Sequence, residues 1–467
     1  MSIAAPSQRE LVADLWALAG LGAAPLDALT LTGQEPVLPS SFRVDALAQA
    51  TIAAVGLAAA ELRRRAGLGM QAVAVDIRRA ALEFRSERHL LVDGGPAPEL
   101  WDALAGLYRC GDGRWVRLHT NFPHHRAGVV DLLGCADTRE SVAAALGDRS
   151  AEAFEGAASA RGLVVAAIRS FAEWDAHDHA AALAGLPLFG IERLADAPPK
   201  QLPTGDRPLA GLRVLDLTRI IAGPVAARAL AAHGAEVLAV TSPNLPAVAP
   251  LVIETGRGKR QAAVDLRRAE DRATLESLIR DADVFIEGYR PGGLAELGFG
   301  PERLAELNPR IIAVSLSAYG WRGPWADKRG FDSLVQAATG FNHAEQEAAG
   351  DEKPRALPCQ ALDHATGYLL AFAALAAVMR RAEAGGAWRV RACLARTGLW
   401  LRGLGRLRDG LSTPEPSAEE IAAARETADS GFGRLATIRH AAELAQTPAR
   451  WDAPAMPLGS HPPRWSA

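Results

Sequence analysis

Residues 361–370 read ALDHATGYLL, which places a carboxylate, an imidazole and a hydroxyl at the head of a long Ala/Leu-rich run. An aspartate just ahead of a helix accepts backbone N–H bonds as a cap, and the positive helix end favours its ionised form. An ionised carboxylate in a dry pocket can also attack an acyl carbon and hold it covalently. The two roles of Asp363 are compatible, and the local residues alone favour the cap.

Other groups compete for attention. His124 and His125 lie in PHHR, and His177 and His179 in DAHDHA. Neither pair shows the HExxH spacing of a metal helix, so both read as solvated or capping groups. Cys110, Cys135, Cys359 and Cys393 sit far apart and fit neither a disulfide framework nor a metal set. No metal is expected, and a reducing cytoplasm is the simplest location. GRGKRQAAVDL gathers Arg257, Lys259 and Arg260 just ahead of a strand, either as a solvated basic loop or as a phosphate holder. In LDLTRIIAGP, Gly223-Pro224 opens a helix directly after a strand, a place where anions bind. No GxGxxG or P-loop lysine motif supports a dinucleotide or triphosphate.

The 467 residues are 49% hydrophobic and 22% charged, enough for two or three globular domains. The net charge of -3 argues against a dedicated nucleic-acid surface. The start carries no basic leader, and the apolar run from Ala46 reads as a buried helix rather than a membrane span.

The elements that must position Asp363 follow from periodicity. Residues 1–40 read as one short helix and a loop, LTLTGQEPVLPSS, and residues 42–66 as a long helix. MQAVAVDI alternates like a strand, and Gly111-Asp112-Gly113 marks a hairpin. ADAPPKQLPTGDRPLAG is the clearest linker. Beyond it, LRVLDL, EVLAV, DVFIEGY and RIIAVSLS alternate with helical stretches, which predicts βαβ units and a doubly wound parallel sheet. The expected divisions are an N-terminal helical part with a helix–strand element (1–99), a small α+β domain (100–195), a linker (196–207), a large α/β domain (208–405) and a closing segment (406–467). The segment from Asp45 resembles that from Asp363. Arg63 and Arg380 lie 317 positions apart, as do Gly69 and Gly386, which suggests an internal duplication.

The ordered blocks PLAGLRVLDLTRIIAGP, GKRQAAVDL, ADVFIEGYRPGGLAELGF, LNPRIIAVSLSAYGWRGPW, RGFDSLVQAATG and ALDHATG resemble the class III CoA-transferases, the CaiB/BaiF family. The resemblance implies a Rossmann-like large domain, a smaller domain and an interlocked homodimer. YRCGDGRWVRLHT through PLFGIERL looks like the family's small domain, here placed before the large one. The resemblance puts the catalytic aspartate at Asp363, acting through an aspartyl anhydride and an aspartyl-CoA thioester. It implies coenzyme A or acyl-CoA as substrate, a small carboxylic acid as acceptor, and no permanently bound cofactor, nucleic acid or membrane. It assigns Arg219, Ile220, Ile221, Lys259, Tyr289, Arg290 and Tyr319 to the CoA site. The chain departs from the pattern at Ala239, Thr241, Gly288 and Glu296, among the adenine and phosphate contacts. Two rivals stay open. One is an acyl-CoA racemase, disfavoured because Phe331 stands where a histidine is needed, with His364 as a substitute base. The other is a non-catalytic acyl-CoA-binding paralogue.

Overall fold

The computed structural model describes residues 5–466. Its largest sheet has seven strands. Six are parallel and run, in chain order, Arg213–Leu217, Glu236–Thr241, Lys259–Ala263, Val284–Glu287, Ile312–Ser317 and Ala387–Cys393. Across the sheet their order is third, second, first, fourth, fifth, sixth, the Rossmann arrangement. Alternate residues serve opposite faces. Val214, Val237, Ile286 and Val314 pack with the Ala-rich helices Ala222–Ala232 and Ala361–Ala384. Leu215, Leu238, Phe285 and Ala313 pack with Leu275, Ile279 and Leu304 of the opposite layer.

The seventh strand, Phe189–Ala195, lies antiparallel to Ala387–Cys393 on the sheet edge. These residues were expected to belong to the small domain; hydrogen bonding to an otherwise open edge draws them into the large sheet. The strands Gly106–Arg109, Trp115–Leu118 and Val165–Ala167 form a separate antiparallel sheet. Three helices (Pro123–Leu133, Arg139–Leu146 and Ala151–Ala160) accompany it, and Tyr108, Val116, Val129 and Phe154 share its core.

The two similar segments take similar forms. Helix Val44–Arg63 leads to strand Val73–Asp76, and helix Ala361–Ala384 leads to strand Ala387–Cys393. The two helices pack against each other. Both are apolar and long enough to cross a membrane on length and composition, and the apolar stretch of each is buried inside the fold. Asp45 lies in the first turn of its helix, as Asp363 does in the other, but it is sealed away. It accepts the backbone N–H groups of Val37 and Leu38 at 2.7 and 3.3 Å, and burial raises its pKa to about 6.

Two strand regions differ from the sequence expectation. Leu29–Thr32, read as loop, pairs in parallel with Val73–Asp76. The closing segment returns to the large sheet, where the His461 N–H donates to the Gln261 carbonyl at 2.8 Å. It also joins the N-terminal part: Ala442–Leu444 pairs with Val73–Asp76, and the hairpin Arg425–Ser430/Gly433–Ile438 pairs with Leu91–Val92.

Candidate active site

The helix carrying Asp363 opens at Ala361, with Gln360 at its cap position. Asp363 is therefore the third helical residue and not the cap. That role passes to Asp332, the first residue of helix Asp332–Ala338. One Asp332 oxygen accepts the Asp363 backbone N–H at 2.8 Å, and the other accepts the Gln336 amide. A close helix crossing fixes the position of the Asp363 helix. A Cβ on Gly367 would stand 2.4 Å from the Ala222 carbonyl oxygen, so the glycine of HATG lets this helix lie against the one opened by Ala222-Gly223-Pro224.

The Asp363 side chain is 6% exposed. Burial, followed by the charges of Asp332 and Glu87, pushes its pKa well above the ordinary carboxylate value. Burial raises Asp332 to about 6. The expectation that the helix end keeps Asp363 ionised is thus corrected: desolvation and a second carboxylate outweigh a dipole worth about 0.3–1 kcal/mol. The two carboxyls titrate as a pair and readily retain one proton between them.

Asp363 lies where two cavities meet. The larger is a cleft of about 670 Å³. Residues at or just beyond the C-terminal ends of all six parallel strands line it: Leu217, Thr241, Val264, Gly288, Ser317 and Leu394. A doubly wound sheet binds ligands on this side, where the strand order reverses about Arg213–Leu217. The opposite wall comes from the small sheet's side through Phe122, His124, His125 and Val164. The second cavity is a chamber of about 20 Å³ that shares Asp363, Ile220, Ile221 and Phe331 with the cleft and is also lined by Trp101, His119, Ser333 and Gln360.

Arg219, Ile220, Ile221, Tyr289 and Arg290 all line the cleft. The Arg219 guanidinium donates to the Pro246 carbonyl and lies 4.7 Å from the Phe122 ring centre, tying the two walls together. Ile220 has φ +75, a left-handed conformation in which a β-branched residue is strained, in the turn that faces the ligand space. Arg290 forms a two-pronged ion pair with Glu296, so the acidic departure from the family pattern neutralises this arginine.

Two members of the sequence-derived set stand elsewhere. Lys259 is buried off the cleft, 2.8 Å from both Asp216 Oδ2 and the Pro224 carbonyl oxygen. Its charge is committed to an internal ion pair that supports the first strand-to-helix turn. Tyr319 is 1% exposed and packs on Trp325, 5.1 Å between ring centres, outside the cleft lining. His364, the substitute base of the racemase reading, points into the core, where its Nε2 meets Glu87 at 3.1 Å.

The histidines divide. His177 caps helix Asp178–Ala184, as expected of a capping group. His125 instead faces the cleft, buried and with both ring nitrogens unpartnered, and burial lowers its pKa to about 3. His119 stacks on Phe331 at 4.0 Å between ring centres. It escaped the sequence reading because a histidine after an alternating strand, WVRLHT, looks like an ordinary sheet residue. Asp332 was visible only as part of the block RGFDSL.

Part of the chain is similar to known proteins. Residues 209–430 match the model of CoA-transferase family III. An acetyl-coenzyme A transferase of Hypoxylon pulicicidum is 39% identical over 199 residues, which cover 42% of this chain and 34% of that protein. A probable fatty acyl-CoA transferase of Mycobacterium tuberculosis is 37% identical over 199 residues, covering 39% of this chain and 50% of its own. The chain thus spans half or less of the length of these two curated relatives. The crystal structure of a CaiB/BaiF family protein from Brucella suis aligns with a TM-score of 0.39 at 27% identity, covering 49% of this chain and 65% of that one.

Proposed function

We propose, for a chain whose residues 209–430 match the model of CoA-transferase family III, that it moves CoA from an acyl-CoA to a carboxylic acid with Asp363 as nucleophile. The observation that carries this reading is the position of Asp363, buried in the lining of the cleft along the C-terminal strand edge. A carboxyl Oδ of Asp363 attacks the thioester carbon, the C–S bond breaks, and CoA leaves as its thiolate. The thiolate then attacks the Asp363 carbonyl carbon of the mixed anhydride, releasing the donor acid and leaving an aspartyl-CoA thioester. The acceptor carboxylate displaces the thiolate again, forming a second anhydride. Thiolate attack on the acceptor's carbonyl carbon frees the new thioester and the Asp363 carboxylate. Each addition builds charge on a carbonyl oxygen, which nearby N–H donors stabilise.

The raised pKa of Asp363 fits this role in one respect. A carboxylate disfavoured by burial is a better nucleophile than one fully paired, once its proton has left. The proton must leave before attack, which sets a pH dependence. Homodimerisation and a cytoplasmic location belong to the same reading, and light scattering tests the first.

Mass spectrometry after incubation with acyl-CoAs and hydroxylamine trapping tests the mechanism. The expected result is a modification at Asp363 that is lost in Asp363→Ala. CoA binding without any adduct across a broad acyl panel would sink the proposal.

A further inference from the structure

The chamber beside Asp363 is too small for a chain of any length, and its lining, apolar over Leu100, Ile220, Ile221, Val248 and Leu251, carries a polar patch at His119, Ser333 and Gln360. Its volume of about 20 Å³ holds one or two small groups. Three of its lining side chains are more than nine-tenths buried and bring polar atoms with no hydrogen-bond partner: His119 Nδ1, Ser333 Oγ and Gln360 Oε1. Buried polar atoms are almost always paired, because an unmade bond costs about 1–3 kcal/mol each. Three orphans around one chamber therefore mark a place shaped for a polar group that arrives with the substrate.

The chemistry of the set narrows that group. Serine donates or accepts, the Gln360 oxygen accepts, and His119 offers one nitrogen of an imidazole that is neutral at pH 7, since burial lowers its pKa to about 3. Such a base is too weak to remove an α-proton, so His119 acts here as a hydrogen-bonding group. No Lys or Arg is among the described residues that line the chamber, whereas Asp332 and Asp363 are. A second carboxylate on the substrate would meet two acids and no cation. A hydroxyl meets donors and acceptors and brings no charge.

Resting on the Asp363 reading above, we propose that this chamber is the acyl subsite and that it selects short hydroxyacyl groups, as the thioester donor or as the accepting acid. The hydroxyl sits among His119, Ser333 and Gln360 while the reacting carbonyl faces Asp363. Sites built to bond a substrate hydroxyl discriminate strongly against the analogue that lacks it, because their own polar groups are then left unpaired.

The test measures acylation rates of the full chain at Asp363 with propionyl-, 2-hydroxypropionyl-, 3-hydroxypropionyl-, succinyl- and hexanoyl-CoA. One of the hydroxypropionyl thioesters is expected to react at least about tenfold faster than propionyl-CoA. Ser333→Ala should pull that ratio toward one, and His119→Gln provides a second variant with an amide in place of the ring. Equal or faster acylation by propionyl- or hexanoyl-CoA overturns the subsite while leaving the nucleophile standing. Preference for succinyl-CoA overturns it in favour of a carboxylate. Absence of an adduct with every thioester removes both the subsite and the reading on which it rests.

Discussion

Asp332→Asn separates two roles that the Asp332 carboxylate combines. The substitution keeps an oxygen that can accept the Asp363 N–H, now 2.8 Å from Asp332 Oδ2, so the helix cap is retained. It removes the neighbouring negative charge that helps hold Asp363 in its protonated form. At an effective dielectric constant of about 20, two unit charges at about 5 Å repel by roughly 3 kcal/mol, which corresponds to about 2 pKa units. The sign follows directly. Without the second charge Asp363 loses its proton more easily, so the acid limb of the pH–kcat/KM profile moves to lower pH by up to about 2 units. Burial still holds the Asp363 value above that of a free carboxyl. The assay is CoA transfer between pH 4.5 and 9, with the urea midpoint at each pH to confirm that the variant is folded. An acid limb that stays in place, or moves to higher pH, refutes the idea that the Asp332 charge sets the state of Asp363.

Three further outcomes are expected. Because Asp332 has a raised folded-state pKa of about 6, its contribution to stability is fully present below its unfolded value near 4 and is lost as pH rises through about 6; Asp332→Asn should therefore flatten the fall in urea midpoint between pH 4 and 7. Glu296→Gln releases Arg290 from its ion pair and should tighten CoA binding by up to about fivefold, matching the 0–1 kcal/mol worth of an exposed pair; calorimetric titration at low and high salt checks both the sign and its screening. Glu83 accepts the Tyr368 hydroxyl at 2.6 Å, faces His440 Nδ1 at 2.9 Å and accepts the Ala441 N–H at 2.7 Å, with Arg228 3.5 Å away. Glu83→Gln leaves that buried network short of a charge and should cost about 3–5 kcal/mol in urea denaturation, with little change if the network is already neutral.

What the sequence made legible was whatever has a period or a fixed block. The parallel strands read clearly because burial on both faces makes them apolar runs, as in LRVLDL and RIIAVSLS. The hairpin at Gly113 read clearly because its φ of +78 asks for glycine. Arg425–Ser430 did not, because its residues, RETADS, have no apolar alternation; it is an edge strand held by backbone bonds to Gly433–Ile438 and by polar side-chain contacts such as Arg425 to the His89 carbonyl. In the site, Asp363 was found through its flanking block. Asp332 as cap, His119 over Phe331 and the withdrawal of Lys259 to Asp216 depend on which distant segments meet, and spacing along the chain carries no trace of that.

The pairing of Ala442–Leu444 with Val73–Asp76 has a consequence for the order of events during synthesis. Helix Val44–Arg63 is buried along its length partly against helix Ala361–Ala384, and the strand that follows it, paired on one edge by Leu29–Thr32, gains its second edge partner only from residues some 370 positions downstream. While a ribosome is making the middle of this chain, an Ala/Leu-rich surface near the start waits uncovered, and local contacts cannot hide it. Loop closure over such a span is slow, and exposed apolar surface in the interval invites association. The first hundred residues should therefore behave in the cell as a client for chaperones until the closing strands emerge. A nascent chain arrested at residue 350 should be digested by protease in this region, and one released after residue 450 should resist.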